Sequence, residues 1–156
     1  MPNFTIRIDA PAETIFDELS HVERHPSWAN HTAHMTMEQT AGSGPGTASH
    51  YVSHGVFLKK PISADIEITR FEPPRVFSLK ATQHQEGKKD TWVENTFTIT
   101  PGPDGTTVTK HMTGEPSVKG AILGAIAYPA IRSDAMASLK NLKAMMEAKG
   151  EAGGTV

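Results

Sequence analysis

Three histidines, a proline and one of the two tryptophans fall within HVERHPSWANH, at positions 21–31. His21 and His25 are four residues apart and would share one face of a helix, an arrangement in which two imidazoles can bind zinc. The segment does not match H-E-x-x-H, however, because its glutamate is the third residue rather than the second. The spacing indicates no third ligand, and surface imidazoles explain the pattern simply. We therefore predict no metal site and no cofactor.

A second group of polar residues lies on predicted strands. Lys110 alternates with Val108 and Met112, and Asn95 shares a strand face with Phe97. If both faces are internal, burial lowers the pKa of Lys110, which could then bind an enolate or carboxylate or act as a base. Asn95 could orient a ligand carbonyl. The alternatives are a Lys110 that snorkels to water or sits beyond a β-bulge, and an Asn95 that only satisfies backbone groups.

The tyrosines could donate a hydrogen bond to a ligand oxygen. Tyr128 is the better candidate because it lies on an apolar helical stripe, whereas Tyr51 lies in a segment, 47–54, whose facing the pattern does not determine. Both could equally lie at the core edge with wet hydroxyls. The catalytic candidates are therefore Lys110, Asn95 and Tyr128, and they form no convincing acid–base pair.

The remaining histidines have no carboxylate partner at an informative spacing, and we expect His111 to lie outside the core because its parity is opposite to that of Val108. The sequence contains no G-x-S-x-G elbow and no phosphate-binding loop. The histidines in question are His50, His54, His84 and His111.

Composition narrows the functional class. A net charge of −2 gives no electrostatic case for nucleic acid, and the absence of cysteine excludes disulfides and thiol nucleophiles and fits a cytoplasmic location. Residues 1–10 do not resemble a signal peptide. The longest weakly polar run, 120–131, is short and contains Pro129, so we expect no membrane span.

The period of the apolar residues changes along the chain. A strand over 4–8 is followed by a short helix with Asp9 as its predicted N-cap and by a second short segment capped by Ser20 that ends near Pro26. About six strands follow, and from Gly120 the period becomes helical. The apolar stripe of this last helix consists of Tyr128, Ile131, Ala135, Leu139, Leu142 and Met146.

This order predicts an α+β domain over 1–149, with residues 150–156 as a frayed tail. A curved antiparallel sheet of about seven strands would wrap around the long C-terminal helix, and two short helices would follow the first strand. Because the helix must bury its stripe, the concave face of the sheet is the surface available to it.

Five segments occur in the order found in one superfamily. The chain resembles the START-like helix-grip superfamily, also called SRPBCC, and within it the polyketide cyclase/dehydrase-like branch. That resemblance implies a deep cavity between sheet and helix that takes an apolar or aromatic ligand. The segments are IRIDAPAETIF (6–16), HPSW (25–28), RFEPPR (70–75), FTITPGPDGTTVT (97–109) and SLKNLK (138–143).

The resemblance also suggests which residues line that cavity. Trp28 matches the aromatic of an H/Y-P-x-W motif and is a candidate for the mouth or wall, with a core plug as the alternative. Methionines would make the lining adaptable, although ordinary core filling would use them too. The predicted ligand-binding residues are Trp28, Met35, Met37, Ile66, Ile68, Phe77, Leu79, Asn95, Phe97, Lys110, Met112, Tyr128 and Ile131.

Three functions follow as hypotheses. The first is a protein, monomeric or homodimeric, that binds a small hydrophobic ligand similar to a lipid or polyketide. The second is a cyclase or dehydratase that acts on a poly-β-ketone, and the third is a protein- or ribosome-interaction module that presents the apolar segment 120–127. The superfamily hosts all three, so the fold alone does not choose among them.

Overall fold

A computed structural model describes residues 3–29, 35–57, 59–115 and 128–154. One antiparallel sheet and one long helix make up most of this part of the chain, with a short α-helix and a 3-10 helix after the first strand. The strands are β1 Asn3–Ile8, β2 Thr36–Ala41, β3 His50–Phe57, β4 Lys60–Glu72, β5 Val76–His84, β6 Thr91–Gly102 and β7 Gly105–Gly114; the helices are α1 Ala12–Ser20, the 3-10 helix Val22–Ser27 and α2 Tyr128–Gly154.

The sheet confirms the predicted α+β class. Its strand order is β1-β7-β6-β5-β4-β3-β2, so β1 closes one edge by pairing with the last strand while the others follow as hairpins. The turn predicted at 101–105 joins β6 to β7, and Gly105 there has a φ of 129°, a conformation that glycine adopts without strain. The register shifts only between Gln39 and Ala41 and between Ile68 and Arg70.

The inner, concave face of the sheet follows the predicted alternation. In-register neighbours put one apolar residue of each strand beside the next, as with Ile66 and Ala81 or Phe77 and Phe97. The structure also decides the facing of segment 47–54, because Tyr51 pairs with Ile66 and therefore points inward. Hydrophobic burial on this single face supplies the core.

The C-terminal helix buries the predicted stripe. Ala135, Leu139, Leu142 and Met146 are each at most 1% exposed, and Tyr128 and Ile131 pack partly buried against the same cluster. The backbone of α2 comes closer to β1 than to any other strand. The remaining strands of the inner face are therefore separated from the helix by a wider interval, which side chains or a ligand must occupy.

Polar contacts fix α2 against β1. The Lys143 ammonium donates to the Arg7 carbonyl at 2.8 Å, and the Asp9 amide donates to Glu147 Oε2 at 2.9 Å. The Lys149 ammonium donates to Glu18 of α1 at 3.1 Å. These contacts hold one side of the helix at the sheet edge.

Two predicted helix caps are wrong. Pro11 is the N-cap of α1, with no side-chain cap, and Asp9 instead uses its amide to bind Glu147 of α2. Ser20 donates to the Asp17 carbonyl rather than capping the next segment, which follows His21 and contains Pro26 within it. Tertiary contacts override local capping preference at this corner.

The C-terminal helix is also longer than the stripe predicted. It continues to Gly154, beyond Lys149, although three of the five added residues are glycines, each of which costs about 1 kcal/mol in a helix interior. In the described part of the chain, no helix is both long and apolar enough to cross a membrane.

Candidate functional site

Lys110 is buried on the inner face. The register of β7 with both neighbours is unbroken there, and the residue is 4% exposed, so the snorkelling and bulge alternatives are wrong. Burial lowers the pKa of Lys110 to about 8, and the negative charge of Asp134 on α2 opposes that fall. A substantial fraction of this amine is therefore neutral near physiological pH.

Three buried polar side-chain atoms of the described residues have no hydrogen-bond partner: Trp28 Nε1, Tyr51 OH and Asn95 Oδ1. Such groups are rare in folded proteins, and each costs about 1–3 kcal/mol relative to a paired one. Trp28 supplies a donor, Asn95 an acceptor, and Tyr51 either. These are the groups that a ligand with a few polar atoms would satisfy.

Trp28, Asn95 and Lys110 are all neighbours of Phe97. The Trp28 ring centroid lies 6.3 Å from that of Phe97, and Lys110 Nζ lies 5.9 Å from the Phe97 centroid. Phe97 pairs with Lys110 across the β6–β7 ladder, and Asn95 pairs with Met112 two residues along, so Asn95 and Lys110 are diagonal neighbours within reach of each other. A donor, an acceptor and an amine therefore border the Phe97 ring.

Aromatic rings continue the wall away from this point. The Phe77 centroid lies 6.5 Å from that of Phe97, and Phe16 of α1 lies 6.3 Å from Phe77. At the other end, the Phe4 and Tyr128 rings stack at 6.4 Å. The polar groups are thus set in an apolar surface.

The predicted ligand-binding residues largely share this inner face. Trp28 is 3% exposed, so it lies in the interior and not at an open rim, and this burial fits both a cavity wall and a core plug. Met35 lies at the end of the sheet, where its side chain packs over Gly55. Buried residues of the set are Ile66, Ile68, Phe77, Leu79, Asn95, Phe97 and Lys110, and partly buried ones packed on them are Met37, Met112, Tyr128 and Ile131. Whether each contacts a ligand stays a prediction.

Tyr51 is more prominent than the sequence indicated. It is 1% exposed, and burial raises the pKa of its phenol, aided by the charge of Glu23 and opposed by the nearby Ser49 hydroxyl. The pattern missed it because β3 alternates Tyr51 with His50 and Val52, which does not distinguish an inner face. Tyr128, favoured from sequence, is only partly buried.

The two opening histidines have structural partners. The His21 ring contacts the Asp17 carbonyl at 2.6 Å, and the buried His25 ring contacts the Leu19 carbonyl at 2.7 Å. The His25 ring centroid also lies 4.8 Å from that of Trp28. His25 therefore ties the 3-10 helix to α1 and supports Trp28. Within the described ranges, no three His, Asp or Glu side chains are grouped so as to hold a metal.

His84 has two carboxylate partners that its spacing in the sequence did not indicate. Its Nε2 lies 2.7 Å from Asp65 Oδ2 and its Nδ1 lies 2.9 Å from Asp90 Oδ2, and these hydrogen bonds raise the pKa of the imidazole. His111 lies on the outer face, as predicted, with Nδ1 2.7 Å from Asn3 Oδ1.

The sheet also carries two open concavities. One, of about 490 Å³, is lined by His50, Glu67 and Thr82 of the outer face and also by Tyr51 and Ile66. A second, of about 410 Å³, includes His54, His84 and Ile62. Both are lined by charged and polar groups together with apolar ones.

Comparison with known proteins agrees with this architecture. A family model described as "polyketide cyclase / dehydrase and lipid transport" matches residues 3–147. No curated protein matches the sequence significantly. The solved structures described here are between 12% and 18% identical to this chain, and they therefore bear on the fold alone.

Three solved structures illustrate the range of these matches. Protein MLL2253 from Mesorhizobium loti is 18% identical with a TM-score of 0.68, and the match covers 94% of this chain and 96% of that one. Ara h 8.0201 is 12% identical with a TM-score of 0.68, covering 94% and 97%. DynU16, from the dynemicin biosynthetic locus, is 14% identical with a TM-score of 0.61, covering 93% of this chain and 46% of that one.

Proposed function

The chain belongs to the polyketide cyclase/dehydrase and lipid transport family, and from that premise we propose that it binds one small hydrophobic ligand, similar to a lipid or a polyketide, between the sheet and α2. The observation that carries the proposal is a set of buried polar residues in an apolar surface: Trp28 and Asn95, each with an unpartnered atom, and the buried Lys110.

The free energy of these groups favours a ligand over a closed core. Each unpartnered group costs about 1–3 kcal/mol, and a buried ammonium costs more, so apolar side chains of similar size would give a more stable protein. A ligand with an apolar body and a few oxygens offsets those costs by accepting from Trp28 and Lys110 and donating to Asn95. Its apolar body would lie against rings such as Phe97 and Phe77.

Binding is measurable through Trp28. In a Trp92→Phe protein the remaining tryptophan reports on the inner face, because Trp92 lies on the outer face beneath Lys80. We expect saturable quenching or a spectral shift of Trp28 on titration with 1-phenyl-1,3-butanedione or dodecanoic acid. Thr98→Ala, an exposed outer-face change, serves as the matched control and should bind equally well.

Native mass spectrometry of protein purified from its own host provides an independent test. We expect a bound apolar species that organic extraction removes. The absence of any co-purified species, together with no response of Trp28 to either probe, would contradict the proposal.

A second candidate, a polyketide cyclase or dehydratase, is favoured by one observation. Lys110 has its pKa lowered to about 8 and is a diagonal neighbour of Asn95, so the pair could polarise and deprotonate a bound β-ketone. Lys110→Met should then abolish turnover of a poly-β-ketone while the protein stays folded. Unchanged turnover would remove Lys110 from that role.

The other hypotheses remain predictions. The interaction module depended on segment 120–127, which lies outside the described residues. A cytoplasmic location, a monomeric or homodimeric state and the absence of nucleic acid binding also stay predictions. Affinity capture from lysate tests the interaction module, because only that function requires a stoichiometric macromolecular partner.

A further inference from the structure

We propose that Lys110 forms a covalent imine with a carbonyl carbon of the bound ligand, and that the ligand class is a hydrophobic β-ketone or 1,3-diketone. This inference rests on the proposed ligand site and goes beyond it, because a site that only binds needs no nucleophile. The argument begins with the position of the lysine.

Lys110 lies on β7, the strand between the edge strand β1 and β6. It pairs in register with Phe4 on one side and Phe97 on the other, so aromatic residues flank it on both neighbouring strands. It is 4% exposed and lies on the inner face of the sheet, which faces α2. A carbonyl compound lying on the Phe97 ring is therefore close to the amine and excluded from bulk water.

The protonation state suits a nucleophile. With a pKa of about 8, about one molecule in ten carries a neutral Lys110 amine at pH 7, compared with about one in three thousand for an ordinary lysine. Only the neutral amine has the electron pair that attacks a carbonyl carbon. Desolvation thus raises the reactive fraction by about 300-fold.

The unpartnered atoms match the groups of a 1,3-dicarbonyl. Trp28 Nε1 can donate to the carbonyl oxygen that is not attacked, and Asn95 Oδ1 can accept from the hydroxyl of the carbinolamine or from an enol. Both residues border the same ring as Lys110. The ligand would therefore satisfy two buried groups while it reacts with the third.

The reaction is balanced without an oxidant or reductant. The Lys110 nitrogen forms a bond to the carbonyl carbon, and a proton passes from nitrogen to oxygen to give a carbinolamine. The carbon–oxygen bond then breaks, one water leaves, and a carbon–nitrogen double bond remains. With a 1,3-diketone this imine tautomerises to a conjugated enaminone.

The test uses the full-length protein and 1-phenyl-1,3-butanedione. We expect a gain in intact mass equal to one probe minus one water, the near-ultraviolet absorption of an enaminone, and peptide mapping that assigns the adduct to Lys110. Hydroxylamine should reverse it. Adduct formation should rise with pH and level off above about 8, whereas ordinary surface lysines continue to gain reactivity up to their higher pKa.

Two variants complete the design. Lys80→Met removes an outer-face lysine and should form the adduct as fast as the wild type. In Lys110→Met the initial rate of adduct formation should be lower by at least about 100-fold. Mapping in the wild type makes the result independent of whether Lys110→Met folds. Suppose that Trp28 still reports binding but the adducts lie on surface lysines and Lys110 is unmodified. That result would overturn the imine and leave the proposed ligand site intact. If Trp28 does not respond either, both proposals fail.

Discussion

The two faces of the sheet treat their polar residues in opposite ways. On the outer face, His84 has a carboxylate at each ring nitrogen, and the Ser78 hydroxyl donates to Thr96 at 2.7 Å. On the inner face, Asn95 Oδ1 and Trp28 Nε1 are buried and unpartnered. The same strands carry both arrangements, since alternate residues point to opposite sides.

The difference extends to the titrating groups. Hydrogen bonds to carboxylates raise the pKa of His84 on the outer face, whereas desolvation lowers the pKa of Lys110 on the inner face. Water can satisfy groups that reach the surface on the outer face, such as His84, so pairing of those groups is worth little, whereas the buried Ser78 hydroxyl depends on its bond to Thr96. Unpaired groups on the inner face are costly, and we assign them to the proposed ligand.

The largest effect should come from packing on the inner face. Phe77→Ala removes a fully buried ring that contacts Phe16 and Phe97, so we expect a loss of about 3–5 kcal/mol in the free energy of unfolding by urea denaturation. Thr98→Ala on the outer face should change it by less than about 0.5 kcal/mol. Equal losses in both variants would show that the two faces do not differ.

The next effect has the opposite sign. Lys110→Met should raise the free energy of unfolding at pH 7 by about 3 kcal/mol, which corresponds to the fall in pKa from 10.5 to about 8. The unfolded state binds more protons between those two pH values, so the stability of the wild type rises with pH across that window. Urea denaturation from pH 7 to 11 should show the advantage of the variant disappear. A destabilised variant would mean that Lys110 has a structural partner.

A smaller gain is expected at the unpartnered amide. Asn95→Leu replaces an unsatisfied buried oxygen by an apolar group of similar size, so the melting temperature should increase by an amount equivalent to about 1 kcal/mol. The same change should weaken binding of 1-phenyl-1,3-butanedione about tenfold. Lower stability together with unchanged affinity would assign Asn95 to the scaffold.

The smallest effect belongs to the outer face. Because the pKa of His84 is raised in the folded state, its contribution to the free energy of unfolding is fully present below the ordinary pKa of 6.5. That contribution is lost as the pH rises through the folded-state pKa. Because the cluster is exposed, His84→Gln should cost less than about 1 kcal/mol at pH 6 and nothing at pH 9. Thermal unfolding at the two pH values checks this, and a cost that is independent of pH would exclude charge as its origin.

Much of the fold was predictable because its signals are local. The alternation in β6 and β7 correctly placed Asn95, Phe97 and Lys110 on one face, and the helical stripe of α2 is the one that packs on the core. Helix starts were less predictable: Asp9 has a good capping side chain, yet its amide binds Glu147 at the far end of the chain. A contact that spans 138 positions has no local signal.

Sequence by itself determined the faces of β4 to β7, since strand periodicity is a property of neighbouring residues, but it left the facing of β3 open. The tertiary structure alone decided which polar groups found partners. His84 meets Asp65 across 19 positions because the β4–β5 register places them together, while Trp28 Nε1, Asn95 Oδ1 and Tyr51 OH meet none. Whether a polar group has a hydrogen-bond partner depends on the strand register and on how closely the helix approaches the sheet, and the packing of the whole chain sets both.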